Sequence, residues 1–374
     1  MLSPTQGNGM NGNPDLTQHR LPKVTISILN WNGWRETIEC LESVRQLHYP
    51  NFLIVVADNG SGDKSLEELR AWGKAHFREG DTFVEYPREV ALAGGDPARE
   101  EGLERGASGK RLVLVDNREN LGFTGGNNVG IQYALRRPQP ADYVLLFNND
   151  ATMDEGCLDH LLEAGRKAGA GIVGAVIKER ESGHIQFAGY VGPFPLLRQF
   201  FPPLFGFRTV APDMADEFQE SFAVNGAAML IRREVLEAVH LSTGYYLDDA
   251  LFLYGDEADL CGRARKLGYK TVVANRALVY HGEASSMGGR ANPFAFYYTS
   301  RNRIRLAGHL LPWPLRLPFH AVNGAVCAGR ILKNLATRRP RAAFAIIQGL
   351  VDGYRGIGGR WRYHDRETQR FLAG

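Results

Sequence analysis

The chain has 374 residues, of which 44% are hydrophobic and 23% are charged. This composition is ordinary for a globular protein and allows one large domain with an appendage, or two domains. The net charge of +3 is uneven, because residues 301–374 carry 14 Lys/Arg against 3 Asp/Glu, or +11, which leaves 3 − 11 = −8 on residues 1–300. The basic end favours an anionic partner such as a membrane surface or a phosphorylated lipid, and we expect no nucleic acid partner. A solvated basic face is the alternative.

The cysteines and the first residues indicate the compartment. The four cysteines are far apart and form no CxxC pair: Cys40, Cys157, Cys261 and Cys327. They predict ordinary thiols in a reducing compartment and neither a structural zinc site nor a disulfide framework. Residues 1–21 lack an apolar core and predict a disordered leader, not a signal peptide. No apolar run approaches about 18 residues, so we expect a cytoplasmic protein without a transmembrane helix, which the basic end could bring to the cytoplasmic face of the membrane.

The first third of the chain alternates strand and helix patterns. The runs "KVTISILNW" and "FLIVVADNGSGD" are nearly continuous in apolar residues, which is typical of parallel strands covered on both faces. The segments "ETIECLESVRQL" and "KSLEELRAWGKAHF" follow them and predict helices. This alternation predicts an α/β fold with a mostly parallel, doubly wound sheet. Residues 79–110 are rich in Gly, Glu and Arg and predict an insertion, partly disordered.

The sheet pattern resumes beyond that segment. Strands are predicted at "KRLVLVDN", "DYVLLFNND" and "AGIVGAVI", and helices at "GGNNVGIQYALRR" and "EGCLDHLLEAGRKAG". Residues 182–222 are full of Gly, Pro and aromatic residues and predict strands and loops. Further on, "FAVNGAAMLIRREVLEAV" predicts a strand and then a helix, "DLCGRARKLG" a short helix, and "KTVVANRALVYHG" a strand or hairpin.

Three of the predicted strands end in polar residues, at 30–32, 58–61 and 148–150. The carboxyl ends of parallel strands share one edge of the sheet, and that edge is where ligands bind. Asp150, at the third end, could hold a divalent cation, or it could cap the helix that follows. Convergence of three such ends is harder to explain as three separate helix caps, so the pattern favours a binding site.

A glycine-rich loop, "NLGFTGGNN" at 120–128, lies beyond the third predicted strand. It matches neither the GxGxxG dinucleotide motif nor the GxxxxGK[ST] phosphate loop, so NAD and ATP hydrolysis are poorly supported. Its glycines would let the backbone approach a sugar or a phosphate closely. A tight turn into a helix is the alternative.

A second acidic group, Asp256, Glu257 and Asp259, lies in "LFLYGDEADLCGRARKLGY". Like charges this close raise at least one pKa, which is how a general base is tuned. A solvated helix N-terminus is the alternative, most of all for Asp259. His281, in "LVYHGEASS", lies at another predicted strand end, where it is either a structural residue or a metal ligand.

Eight blocks in order resemble the inverting family 2 glycosyltransferases, and more narrowly their rhamnosyltransferase-like branch, over about residues 22–305. The blocks are "VTISILNWNG", "VVADNGSGDKS", "NLGFTGGNNVGI", "LLFNNDATMD", "GAAMLIRREVL", "YGDEADLCGRARKLGY", "VYHGEASS" and "YYTSRNRIRL". The resemblance implies a GT-A fold, a nucleoside-diphosphate sugar donor, with dTDP-rhamnose as one candidate, and Mg²⁺ or Mn²⁺.

The resemblance also implies roles for single residues. Asp150 and His281 would be the metal ligands. Glu257 lies at the aligned position of the catalytic base, but the order of the two acids is swapped here, so Asp256 is also a candidate. The donor-binding residues implied are Asn30, Asp58, Asn59, Asn120, Gly122, Phe123, Asn127, Asn149 and Arg301. Arg301 could contact the donor phosphate or the acceptor, or could join the end of the chain to the catalytic domain.

The resemblance thus implies a metal-dependent inverting transfer of a sugar to a glycan or lipid-linked acceptor, in the synthesis of cell-envelope polysaccharide. A non-catalytic sugar-nucleotide-binding scaffold and a nucleotidyltransferase are the alternatives. The remaining segment, 306–374, alternates apolar stretches with Arg and Lys and places Trp313 between prolines. It predicts helices lying in a membrane interface, a helical subdomain packed on the core, or a dimer contact. The sequence leaves the donor sugar, the acceptor and the oligomeric state open.

Overall fold

The computed structural model describes residues 20–105, 111–190, 200–201, 215–282 and 292–362. The strands are β1 (Val24–Asn30), β2 (Phe52–Asp58), β3 (Phe83–Pro87), β4 (Leu112–Asp116), β5 (Tyr143–Asn148), β6 (Ala151–Met153), β7 (Ala170–Glu179), β8 (Ile185–Phe187), β9 (Phe218–Glu220), β10 (Ala228–Arg232) and β11 (Lys270–His281). The helices are α1 (Trp34–Arg45), α2 (Ser65–His76), α3 (Arg88–Leu92), α4 (Pro97–Arg105), α5 (Gly122–Arg136), α6 (Cys157–Ala168), α7 (Arg233–Thr243), α8 (Asp256–Lys266), α9 (Pro293–Leu310), α10 (Trp313–Ala336) and α11 (Pro340–Tyr354).

The strands form one mixed sheet in the order β3-β4-β2-β1-β5-β10-β7-β11-β6, with β8 beside β7 and β9 beside β11. The first five strands in this order run parallel. β10 is antiparallel to both of its neighbours, whereas β7 and β11 run parallel to each other. The prediction of an α/β fold with a mostly parallel sheet is therefore confirmed.

Strand β2 shows why the continuous apolar runs form parallel strands. All seven of its residues are buried. Successive side chains point to opposite faces of a sheet, so Ile54 and Val56 pack in one core while Leu53 and Val55 pack in the core on the other face. Helices cover both faces, which is the arrangement that a strand without polar alternation requires.

The segment predicted as an insertion, 79–110, is instead part of the sheet where the structure describes it. β3 pairs in parallel with β4 and forms the edge of the sheet. Helix α4 buries Glu100, whose carboxylate accepts hydrogen bonds from the hydroxyls of Tyr86 and Tyr133 and from Arg137. Glu100 is therefore buried and paired, whereas other charged residues of the segment, such as Arg99 and Glu101, are exposed. Residues 106–110 lie outside the described residues.

The predicted boundary at residue 305 is also corrected, because helix α9 runs through it without a break from Pro293 to Leu310. Helices α10 and α11 follow, as predicted for the basic end. α11 packs closely on α9: a Cβ atom at Gly349 would lie 2.5 Å from the carbonyl oxygen of Tyr297. In the described part of the chain, no helix combines the length and the apolarity that crossing a membrane would require.

The predicted leader falls almost wholly outside the described residues, which begin at Arg20. Its last two residues contact the domain. Arg20 lies 3.6 Å from the carboxylate of Asp142, and the carbonyl oxygen of Leu21 accepts a hydrogen bond from the Asn51 side chain.

Candidate active site

The three polar strand ends meet at the carboxyl edge of the sheet. β1 lies between β2 and β5, with Asn30 opposite Asp58 on one side and Leu29 opposite Asn148 on the other. Parallel register alone therefore brings together side chains that are far apart in the sequence. The convergence predicted from the strand pattern is present in the structure.

Asn30 and Asp58 form a buried pair at this edge. The amide Nδ2 of Asn30 donates to Oδ1 of Asp58 at 2.7 Å, and the hydroxyl of Thr37 donates to Oδ1 of Asn30 at 2.8 Å. The backbone N–H of Ser61 donates to Oδ2 of Asp58 at 3.0 Å. Asn30 is 0% exposed and both of its polar atoms are used. Asp58 is buried as well, at 1% exposed, so Asn30 holds Asp58 inside the protein, and the predicted nucleoside contacts of both residues stay predictions.

Asn59, directly after β2, holds the glycine-rich loop. The Asn59 amide donates to Oδ1 of Asn120 at 3.2 Å and to the carbonyl oxygen of Gly122 at 3.1 Å. Gly122 has a φ of +75°, and a Cβ atom there would lie 2.5 Å from the carbonyl oxygen of Phe252. Only glycine satisfies both the positive φ and this close approach. Three of the predicted donor-binding residues thus form one hydrogen-bonded group.

Phe123 and Asn127 lie in the first turns of α5. The backbone N–H of Phe123 donates to the carbonyl oxygen of Phe252 at 2.7 Å. The Asn127 amide donates to the carbonyl oxygen of Phe123 at 2.9 Å. Because Asn127 is 2% exposed and bonded within its own helix, it shapes the loop more than it lines an open surface.

Asp150 and His281 lie side by side, as the metal-ligand hypothesis requires. His281 is the last residue of β11, and the antiparallel pairing of β11 with β6 sets it opposite Ala151. Nε2 of His281 lies 3.1 Å from Oδ1 of Asp150, and the two side chains are 19% and 15% exposed. Nδ1 of His281 lies 3.4 Å from Oε1 of Gln186, and the Asn148 amide lies 3.2 Å from Nε2.

The donor set of this pair fits a divalent cation. If Nδ1 of His281 donates its proton to Gln186, Nε2 keeps a lone pair, which lies within reach of the Asn148 amide and which a cation bound beside Asp150 would take instead. Two ligand atoms that each lie about 2.1 Å from one ion, at right angles to each other, are about 3 Å apart. This is close to the 3.1 Å observed between Nε2 of His281 and Oδ1 of Asp150. In the described parts of the chain, no three His, Cys, Asp or Glu side chains come together as a ligand set. Mg²⁺ is commonly held by one or two protein groups with phosphate oxygens and water completing its shell, so two protein ligands suffice for such a site.

The turn that carries Asp150 is held from two sides. The Asn149 amide donates to the hydroxyl of Thr37 at 3.0 Å. The guanidinium of Arg180 and the backbone N–H of Gly282 both donate to the carbonyl oxygen of Asp150, at 2.9 and 3.1 Å. Thr37, Arg180 and Gln186 were not among the residues predicted from sequence. No motif marks them: Thr37 lies near the start of α1, and Arg180 and Gln186 reach the site through the pairing of β7 with β11 and β8.

The acids at the start of α8 differ in their surroundings. Asp256 is 3% exposed, and among the described residues one of its carboxyl oxygens has no hydrogen-bond partner. Burial and the adjacent Glu257 carboxylate raise the pKa of Asp256 well above its usual range. Burial also raises the pKa of Glu257, but backbone N–H groups and the Asp256 side chain oppose that rise. Burial therefore disfavours two negative charges on this pair, and Glu257 is the more exposed of the two acids.

Asp259, the third acid, has a structural contact in place of the solvated position considered above. It is 0% exposed, and its carboxylate accepts from Nε of Arg263 at 2.7 Å and lies 2.9 Å from Nδ1 of His309. This buried group ties α8 to α9 and leaves Asp256 and Glu257 as the acids free for chemistry.

The acid pair is linked to the glycine-rich loop through residues 247–255. The Asn128 amide donates to the carbonyl oxygen of Leu247 at 2.9 Å and to Oδ1 of Asp249 at 2.6 Å. The carbonyl oxygen of Phe252 accepts a hydrogen bond from the backbone N–H of Phe123 in α5. The start of α8 is therefore positioned by the same helix N-terminus that contacts the ends of β1 and β2.

The structure favours the joining role for Arg301 over phosphate binding. Arg301 is 2% exposed, and its guanidinium donates to the carbonyl oxygens of Ala250, Leu251 and Gly359. The Asn302 amide donates to the carbonyl oxygens of Leu253 and Tyr254 at 2.7 and 2.8 Å. The prediction that Arg301 binds the donor is corrected, because its donor groups are turned to the backbone of the 250–254 loop.

Comparison with known proteins identifies the family. Residues 98–303 match the family model described as glycosyltransferase like family 2, and residues 25–116 match that described as glycosyl transferase family 2. The first match covers more than half of the chain. The chain belongs to glycosyltransferase family 2, and it is a glycosyltransferase.

The chain is also similar to two curated relatives and to two solved structures. The chain is 20% identical to the low-salt glycan biosynthesis hexosyltransferase Agl10 of Haloferax volcanii, over 67% of this chain and 78% of that protein. It is 28% identical to the uncharacterized protein Rv1525 of Mycobacterium tuberculosis H37Rv, over 48% of this chain and 66% of that protein.

The mannosyltransferase PcManGT of Pyrobaculum calidifontis, solved with GDP-Man and Mn²⁺, aligns with a TM-score of 0.51 at 16% identity, over 89% of this chain and 87% of that one. GalNAc-T7, solved with UDP, GalNAc and Mn²⁺, gives 0.52 at 15% identity, over 78% and 48%. At these identities the structures establish the fold, and the predicted GT-A architecture is confirmed.

Proposed function

We propose that this glycosyltransferase is metal-dependent and inverting, and that it moves a sugar from a nucleoside-diphosphate donor to an acceptor hydroxyl. The observation that carries the proposal is the pairing of Asp150 with His281 at the carboxyl edge of the sheet. The same edge holds Asp58 and the glycine-rich loop. A carboxylate and an imidazole beside a loop suited to sugar or phosphate give one place for a cation and a donor diphosphate.

The donor is recognised at the ends of β1 and β2. Asp58, held by Asn30 and Ser61, is the acceptor group for the base or the ribose. The glycine-rich loop, with Asn59, Asn120, Gly122 and Phe123, lies next to it and would border the sugar and the phosphates. A nucleotide donor with a divalent ion is supported by the contents of the two solved neighbours, which are properties of those proteins.

Asp150 and His281 would hold the divalent ion, Mg²⁺ or Mn²⁺. When bound there, the ion supplies positive charge that offsets the negative charge developing on the departing nucleoside diphosphate. Asn148 and Gln186 orient the imidazole, and Arg180 holds the turn that carries Asp150. These residues position the ligands before the donor arrives.

Glu257 is the general base of the proposed reaction. It accepts the proton of the acceptor hydroxyl as that oxygen attacks the anomeric carbon on the face opposite the diphosphate. Asp256 keeps its own proton, so that Glu257 ionises without a second negative charge beside it. One displacement breaks the bond between sugar and diphosphate, forms the new glycosidic bond and inverts the configuration, without a sugar–enzyme intermediate.

We put dTDP-rhamnose first among the donors, because the sequence blocks resemble the rhamnosyltransferase-like branch, and a glycan or lipid-linked hydroxyl as acceptor. The test is a panel of sugar nucleotides assayed with Mn²⁺ or Mg²⁺ for the released product. We expect nucleoside diphosphate from one donor and the inverted anomer in the product by NMR. Release of pyrophosphate would instead indicate a nucleotidyltransferase, and a retained anomer would exclude the single displacement.

A further inference from the structure

Helix α10 exposes a continuous apolar stripe along its whole length. Its members recur every three or four residues, so they share one face of the helix: Trp313, Leu317, Ala321, Gly324, Ala328, Leu332 and Leu335. The large side chains are well exposed, with Trp313 at 80%, Leu317 at 79% and Leu332 at 67%. Phe319, Asn323, Cys327 and Asn334 are buried on the opposite face. We call the exposed stripe the α10 apolar face.

The neighbouring helix α11 exposes further large side chains. Phe344, Ile347 and Tyr354 are 43%, 46% and 57% exposed. The Tyr354 hydroxyl lies 3.1 Å from Nδ1 of His320 in α10, so the two helices are adjacent at this point. Large apolar side chains exposed together on one pair of helices indicate a surface that contacts something other than water.

The charges around this surface are of one sign. Residues 313–362 contain nine Lys/Arg and one acid, Asp352, a net of 9 − 1 = +8. Asp352 is 7% exposed and accepts a hydrogen bond from the Tyr297 hydroxyl, so it does not offset the field at the surface. Most of the basic residues are exposed, among them Arg316, Arg330, Lys333, Arg338 and Arg339.

This charge pattern decides between the possible partners. A two-fold contact between copies of the chain would set the same basic surface against itself, because such an interface is self-complementary. An anionic bilayer offers both an apolar layer for the stripe and negative head groups for the flanking Arg and Lys. A tryptophan at one end of the stripe matches the interfacial position that this residue prefers.

We propose that the α10 apolar face docks the protein on an anionic lipid bilayer, with α10 lying in the plane of the interface. At about 1.5 Å per residue the helix presents a contact of roughly 36 Å. The proposal stands independently of the reaction proposed above, since it rests on helices outside the site. Together, the two would hold the site close to lipid-linked acceptors.

The test is flotation of the full chain with vesicles of phosphatidylcholine alone and with about a third phosphatidylglycerol. We expect the wild-type protein to float with the anionic vesicles and to dissociate at high salt. The double variant Leu317→Glu/Leu332→Glu removes two exposed apolar contacts, and its partitioning should fall about tenfold or more. The matched control is Leu241→Glu, which changes a leucine that is 90% exposed on α7 and should float like the wild type.

Charge is tested by Arg338→Glu/Arg339→Glu, which should weaken binding to the anionic vesicles and shift the salt concentration at which the protein leaves them. All variants alter exposed residues, and equal thermal unfolding temperatures would show that the fold is kept. The proposal is overturned if the wild-type protein does not float with anionic vesicles, or if the leucine double variant floats as well as the Leu241→Glu control. A wild-type dimer that the double variant converts to monomer, without vesicle binding, would assign the face to a second copy of the chain.

Discussion

Arg301, in α9, donates a hydrogen bond from its guanidinium Nη2 to the backbone carbonyl oxygen of Leu251 at 2.7 Å. This contact joins the C-terminal helices to the loop that leads into the acid pair. The catalytic part of the fold and the basic end are therefore one packed unit at this point, and the position of Asp256 and Glu257 depends on a residue outside the strand ends.

Replacing Arg301 by Lys should destabilise the folded protein, whether or not the sugar nucleotide is present. A lysine has no planar fork to reach the carbonyl oxygens of Ala250, Leu251 and Gly359 together. We expect the free energy of unfolding to fall by about 2 to 4 kcal/mol, measured by denaturant titration. Arg276→Lys, at an exposed arginine on β11, should change it by about 0.5 kcal/mol or less. An unchanged stability with weaker donor binding would return Arg301 to the phosphate-binding role.

Gly122→Ala tests the close approach of the glycine-rich loop to Phe252. An added Cβ would meet the Phe252 carbonyl oxygen at 2.5 Å, in a backbone with a φ of +75°. We expect a loss of about 3 kcal/mol in the free energy of unfolding together with weaker nucleotide binding. Gly169→Ala is the control, because Gly169 also has a positive φ, +61°, but a Cβ there meets nothing within 4 Å. That variant should lose only about 1 kcal/mol, and equal losses at the two positions would contradict the role given to Phe252.

The raised pKa of Asp256 predicts a pH dependence of stability. An unfolded Asp titrates near pH 4, and the folded Asp256 titrates higher, so the folded state binds more protons between these values. The free energy of unfolding should therefore decrease as the pH rises from about 4 through the raised pKa. The Asp256→Asn variant should lose much of this decrease, as followed by denaturant titrations across that range.

Asp154→Asn is the control for this titration, since Asp154 is an exposed acid beyond β6. It should keep the wild-type pH dependence. A wild-type stability that is flat with pH, or that rises over the same range, would show that Asp256 is not held in its protonated form.

Glu257→Gln tests the assignment of the base. The amide cannot accept the proton of the acceptor hydroxyl, so kcat should fall about 100-fold or more while the donor KM stays within a few-fold. Steady-state kinetics with a saturating acceptor measures this. Asp256→Asn should keep more activity, because the neutral amide resembles the protonated carboxyl of Asp256, and its pH profile should lose the contribution of the Asp256 titration. If Asp256→Asn is the more damaging change and Glu257→Gln is mild, the roles of the two acids are reversed.

Several features of the site were predictable from sequence because they follow from local pattern and parallel register. Apolar runs that end in Asn30, Asp58 and Asn148 predict neighbouring strand ends, and the structure has them side by side. The proximity of His281 to Asp150 depends on the antiparallel pairing of β11 with β6, which no local pattern encodes. Only the family resemblance indicated it.

The errors have physical causes as well. Residues 79–110 were predicted to form a partly disordered insertion, because composition alone does not show that Glu100 of this segment pairs with Arg137 inside the protein. Arg301 was placed among the donor-binding residues, with an acceptor contact and a joining role as alternatives, because a guanidinium can donate to phosphate or to backbone carbonyl oxygens.

The most direct test of the proposed metal site is isothermal titration calorimetry, in which the protein is titrated with a nucleoside diphosphate in the presence of Mn²⁺. If Asp150 and His281 hold the cation, the nucleotide should bind only when Mn²⁺ is present, and chelation with EDTA should abolish binding. Asp150→Asn and His281→Ala should each weaken nucleotide binding at least about tenfold. Asp154→Asn, four residues along, should bind like the wild type. Nucleotide binding that is equally tight without metal, or unchanged by both site variants, would contradict the claim that Asp150 and His281 hold a cation against the donor diphosphate.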